Sequence, residues 1–119
     1  MRFDRHTVVL LVRPSDPPDL PPEAFDRVQS AHLAHQAGFV EQGLVLAAGP
    51  LLDADDDQPR GFVVFSISPE EVRGLYADDP AVRAGLLVAQ VTSWMVPEGT
   101  VRFESVPTPR SMLEAAAGD

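Results

Sequence analysis

Apolar residues recur along this chain at two different periods, and the switches between them mark out the elements. Thr7–Val12 (Thr-Val-Val-Leu-Leu-Val) is a β-branched run that ends at Arg13-Pro14 and reads as a strand. Five prolines and two aspartates between Pro14 and Pro22 make a loop. From Pro22 to Gln42 the period becomes helical. Turning each residue by 100° places Phe25, Val28, His32, His35 and Phe39 within an arc of roughly 80°. Pro21 or Pro22 occupies the first turn, Glu23 lies near the positive end, and Gly43 is the expected C-cap. Gly38 inside the helix weakens it by about 1 kcal/mol relative to alanine.

The strand period returns at Leu44–Ala48, a second strand stopped by Gly49-Pro50. Asp53 to Arg60 is an acidic connection, and Phe62–Ile67 is a third strand. Ser68-Pro69-Glu70-Glu71 combines a capping box with proline at the first helical position, and that helix runs to about Ala77. Asp79-Pro80 opens a short turn closed by Gly85, and Leu87–Val96 is the fourth strand. The order β-α-β-β-α-β predicts an α+β, ferredoxin-like domain: a four-stranded antiparallel sheet carrying both helices on one face. It spans residues 1–100. Residues 101–119 read as an extension in which Val101–Val106 forms a short edge strand and the rest frays.

Both sheet faces are apolar. The third strand offers Val63, Phe65 and Ile67 to one side and Phe62 and Val64 to the other; the fourth offers Leu87, Val91 and Met95 against Val88, Trp94 and Val96. Something covers the face without helices, and a second copy of the sheet predicts a homodimer.

Composition narrows the chemistry. Nine basic residues, all arginine, stand against eighteen acidic ones, a net charge of −9 that repels nucleic acid and anionic membrane surfaces. Without cysteine there are no disulfides, thiolate nucleophiles or cysteine-bound metal clusters. Without lysine there is no internal Schiff base and no P-loop lysine. The N-terminal apolar run is too short for a signal peptide or a membrane span, so a cytoplasmic protein is expected.

His32 stands out because it occupies an arc that should face the core. An unpartnered buried imidazole costs a few kcal/mol, within the roughly 2–7 kcal/mol range for such groups, so it needs a polar partner. Asp79 is the best candidate. As the residue before Pro80 it also suits an N-cap accepting N–H groups of Ala81–Arg83, and a carboxylate has oxygens enough for both roles. An aspartate held in that way would fix the tautomer of His32 and stabilise its imidazolium.

His35, one turn along, suggests a rim position touching solvent or the dimer partner, or a third ligand in a metal site with His32 and Asp79. Asp53–Asp57 begins like a calcium loop, but Gln58 stands where glycine is required and Val64 where glutamate is required. Gly49 and Pro50 either end a strand or mark the mouth of a cavity; Trp94 lines a pocket or fills a dimer core. No serine has the context of an activated nucleophile.

These residues together resemble the YCII-related family of dimeric α+β barrel proteins. The resemblance rests on Ala31-His32-Leu33, Ala47-Ala48-Gly49-Pro50, Arg60-Gly61, and Asp79-Pro80-Ala81-Val82-Arg83-Ala84-Gly85, followed by Trp94, Pro97 and Gly99, over residues 6–100. It implies a ferredoxin-like protomer, a homodimer, and a cleft with a His–Asp pair proposed as catalytic, matched here by His32 and Asp79. It also implies proton-transfer chemistry, elimination or isomerisation, on small and often aromatic or hydroxylated molecules. Leu86 departs from the family pattern, in which a polar or basic residue is usual, so an anionic substrate has one anchor fewer.

The sequence therefore predicts a cofactor-free lyase or isomerase with His32 as base and acid and Asp79 orienting it. Arg13, His35, Gly49, Pro50, Arg83 and Trp94 are the candidate substrate contacts. The alternatives are a ligand-binding or accessory protein with a structural His32–Asp79 bond, and a metal-dependent enzyme using His32, His35 and Asp79.

Overall fold

The computed structural model describes residues 1–104 and 106–117. Its elements are β1 (Phe3–Val12), α1 (Pro22–Glu41), β2 (Val45–Pro50), β3 (Pro59–Phe65), α2 (Pro69–Ala77), α3 (Pro80–Arg83), β4 (Val88–Pro97) and α4 (Met112–Ala117). The four strands form one antiparallel sheet in the order β2-β3-β1-β4, with β1 and β3 at its centre. This is the ferredoxin-like arrangement expected from the order of elements.

Local signals account for the element ends. Gly43 and Gly85 both adopt φ of +77°, where a Cβ would be strained, and so stop α1 and α3. Ser68 Oγ accepts from Glu71 N–H at 3.2 Å and donates to Glu71 Oε1 at 3.0 Å, closing the capping box of α2.

Several strand boundaries differ from expectation. β3, expected at Phe62–Ile67, runs Pro59–Phe65 and takes in the end of the expected acidic connection. β1 begins at Phe3 rather than Thr7, because Phe3 to His6 pair with Pro97 to Trp94 of β4. β2 runs through Gly49-Pro50 instead of stopping there; it is an edge strand, where the missing proline N–H disrupts no ladder on the open side.

The core lies between the sheet and the helices. Val9, Leu11, Val63 and Phe65 point from the sheet toward Phe39 of α1, and Val72 and Tyr76 of α2. Phe65 links both helices, with ring centroids 6.3 Å from Phe39 and 5.8 Å from Tyr76. At roughly 1.5–3 kcal/mol per fully buried large apolar side chain, this layer holds the helices on the sheet.

The opposite face follows a different plan at its two ends. Val88 and Phe62 are exposed at one end. At the other end lies the C-terminal segment, which corrects the expected edge strand: residues 101–104 pair with no strand. Instead Phe103 packs edge-on against His6 at 5.3 Å, and Glu104, Val106 and Thr108 lie beside Val45–Ala48 of β2. Val64, which pairs with Ala47 on this face, is 3% exposed although it points away from the helices. The segment then reaches α1, where Arg110 pairs with Glu41 and Met112 N–H donates to Ser30 Oγ at 3.2 Å. Apolar side chains on this sheet face reward cover, whereas Pro107 and Pro109 lack the N–H groups a strand needs.

Candidate functional site

The junction of α1 and α3 brings three of the singled-out residues together. Asp79 precedes Pro80 and caps α3, its Oδ2 accepting from Ala81 N–H at 3.0 Å and Val82 N–H at 3.1 Å. The side chain is fully buried. His32 Nδ1 lies 2.9 Å from Oδ1 and 3.0 Å from Oδ2, and His35 Nδ1 lies 3.1 Å from Oδ1. An ionised carboxylate only accepts, so each Nδ1 facing it carries the proton. The tautomer follows directly. In the neutral ring of either histidine, Nε2 is then left with its lone pair and free of Asp79.

Electrostatics support an ionised Asp79. Burial by itself pushes the carboxyl up, but the hydrogen bond and charge of His32, the His35 bond and the Val82 N–H outweigh it and hold the group below its ordinary value. The ring of His35 is also fixed from its other side, meeting Phe39 edge-on with centroids 4.5 Å apart.

Sequence reasoning missed a second buried polar pair beside this one. Tyr76 donates from its hydroxyl to Gln36 Oε1 at 3.1 Å, both residues being buried. Burial first, then the negative charge of Asp79, pushes the Tyr76 hydroxyl well above its ordinary value, against a smaller opposing effect of the Gln36 bond. The signal for Gln36 was present: it follows His32 by four residues, so the two share a helix face. Tyr76 and Val82 also line a cleft of about 420 Å³ with Pro14, Arg73, Leu87 and Val91; neither His32 nor Asp79 is part of its lining.

The other candidates lie elsewhere. Arg13 reaches the acidic loop, with its guanidinium 3.8 Å from Asp57 and its N–H donating to Gln58 O at 2.7 Å. Arg83 is exposed in the last turn of α3. Gly49 and Pro50 end β2 at the sheet edge, exposed. Trp94 pairs with His6 on the face away from the helices and meets its ring at a tilt with centroids 5.8 Å apart, so it does not meet His32 within one protomer. Register decides this: residues directly opposite on neighbouring strands share a face.

Among the described residues, no group of three His, Asp or Glu side chains is arranged to hold a metal ion. Among them, too, no helix is long and apolar enough to cross a membrane.

Residues 7–95 match the YCII-related domain. No curated protein matches the chain. One similar solved structure is 5-chloro-2-hydroxyhydroquinone dehydrochlorinase from Burkholderia phenoliruptrix AC1100 in complex with 2,5-dihydroxybenzoquinone. It is 26% identical, the match covers 73% of this chain and 92% of that one, and the TM-score is 0.48.

Proposed function

This chain belongs to the YCII-related family, and we propose that it is an enzyme that moves a proton on a small molecule without a cofactor. His32 is the general base and acid, and Asp79 is the residue that orients it. The reading rests on one observation: His32 presents its Nδ1–H to a fully buried carboxylate that two backbone N–H groups already hold in place. A carboxylate so fixed keeps the imidazole in one tautomer and stabilises the imidazolium formed when Nε2 takes a proton. Positioned general acid–base groups of this kind contribute roughly 10²–10⁴ in rate.

In an elimination, Nε2 removes a proton from carbon, the C–H electron pair becomes a double bond, and the leaving group departs with its own pair. In an isomerisation the same nitrogen returns the proton to another atom. We assign the exposed sheet face carrying Phe62, Val88 and Trp94 to a second copy of the chain, which would bring Trp94 toward the partner.

The test is proton exchange at carbon. A panel of small hydroxylated aromatic and non-aromatic compounds is incubated with the protein in D₂O and followed by NMR. Compounds that gain deuterium or lose a leaving group should do so at least ~10²-fold more slowly with His32→Gln, while sedimentation of the variant is unchanged. Equal rates in the two proteins would overturn the assignment.

One observation favours a second reading, a ligand-binding protein with a structural histidine: the cleft of about 420 Å³ lies beside the pair and not at it. That reading predicts ligand affinity unchanged by His32→Gln and no exchange with any compound.

A further inference from the structure

We propose that His35 is the second proton-transfer group of this site, an acid that complements His32 as base through the carboxylate they share. The inference rests on the reading of His32 given above. Its ground is that Asp79 Oδ1 accepts from both rings, at 2.9 Å from His32 and 3.1 Å from His35. With both Nδ1–H groups committed to one oxygen, each ring keeps an Nε2 for chemistry. Residues three apart on a helix are neighbours, roughly 5–6 Å apart at Cβ, so one small molecule can reach both.

The groups around the two rings are few. α1 supplies Gln36 and Phe39, α3 supplies Asp79 with the Ala81 and Val82 N–H groups, and α2 supplies Tyr76 with its hydroxyl protonated. Among the described residues Asp79 is the carboxylate bonded to both rings, and two imidazoliums on it would repel each other. The proposed step therefore uses a single proton beyond the two on Nδ1, shared between the rings.

That sharing suits a concerted step. His32 Nε2 takes the proton from carbon, and the C–H electron pair forms the new double bond. The leaving group departs with the electrons of its broken bond and takes the proton from His35 Nε2–H. His32 ends cationic and His35 neutral, so Asp79 faces one imidazolium before the step and one after it. The electrostatic surroundings of the carboxylate are unchanged in sum, which is the condition for low reorganisation. Water resets the pair by exchanging protons with both rings. The His35 side chain is the more accessible of the two, 25% exposed against 9% for His32.

The experiment is a ¹⁵N NMR titration of the histidine rings in the full chain from about pH 5 to 9, the range in which imidazoles change charge. Both rings should titrate in two steps. Between the steps one ring carries protons on both nitrogens and the other has a bare Nε2. His35→Gln should collapse the His32 curve to a single step, as expected when one of two coupled sites is removed. For any compound that His32 turns over, the loss of rate at high pH should disappear in His35→Gln. Independent single-step curves, or a retained high-pH limb, would overturn the proposal while leaving the His32–Asp79 reading intact. Loss of the His32 tautomer preference in Asp79→Asn tests that reading separately. If His35→Gln does not fold, the wild-type curves alone decide.

Discussion

Two histidines on opposite faces of one sheet show what a partner does to an imidazole. His32, on the helix side, meets a carboxylate at 2.9 Å and through it the N-terminus of α3. His6, on the other side, lies between Trp94 and Phe103, and its Nε2 is buried without a hydrogen-bond partner among the described residues. His32 is buried, and His6 is half-buried with its Nε2 shielded. Only the first is tied to a charge that can respond to its protonation; the second serves as one more ring in an aromatic cluster of tilted and edge-on contacts. Burial therefore does not identify a functional histidine, whereas the partner's chemistry does.

The comparison breaks most sharply at Asp79. Replacing it with alanine removes a buried partner from two histidines and a cap from α3, and should cost about 3–5 kcal/mol in denaturant unfolding. Asp79→Asn keeps an N-cap acceptor and should cost about 1 kcal/mol less. Both variants should flatten the acid limb of stability. The folded carboxyl sits below its ordinary value, so its contribution is present above roughly pH 4 and is lost as pH falls further. An acid limb identical to the wild type would show that His32 and His35 do not stabilise the charge.

At His6 the expected sign is the reverse. His6→Phe removes a buried nitrogen that has no partner among the described residues and retains the ring contacts with Trp94 and Phe103, so it should stabilise by about 1 kcal/mol and raise the melting temperature. A loss of stability would mean that the imidazole has a polar role there. The smallest effect belongs to Arg110→Ala. Its ion pair with Glu41 anchors the C-terminal segment at an exposed site, and its loss should change the melting free energy by less than about 0.5 kcal/mol.

Much of this was legible in the residues. The switch of apolar period at Pro22, the capping box at Ser68 and the glycines at Gly43 and Gly85 act within a few residues of themselves, and they placed the helices closely. The N-cap of Asp79 was legible for the same reason. The pairing of His32 with Asp79 was reached by asking which polar group could satisfy a buried imidazole. Gln36 and Tyr76 escaped because neither is unusual on its own helix. They matter only because α1 and α2 face each other.

The C-terminal segment shows the opposite limit. Val101–Val106 has the composition of a strand, but a strand needs a neighbour with matching free N–H and C=O groups. The prolines that follow and the apolar face beneath led the segment across the sheet instead. Trp94 was similarly ambiguous until the pairing of β1 with β4 set it opposite His6.

By itself the sequence determined the elements, their order, the caps and the excess of negative charge, because each depends on local geometry or on simple sums. The tertiary structure alone decided that His32 and His35 converge on one oxygen of a residue more than forty positions away, that Tyr76 and Gln36 lie beside them, and that Trp94 lies behind the sheet. Those facts depend on which faces meet when helices pack on strands, and periodicity specifies a face without specifying its partner.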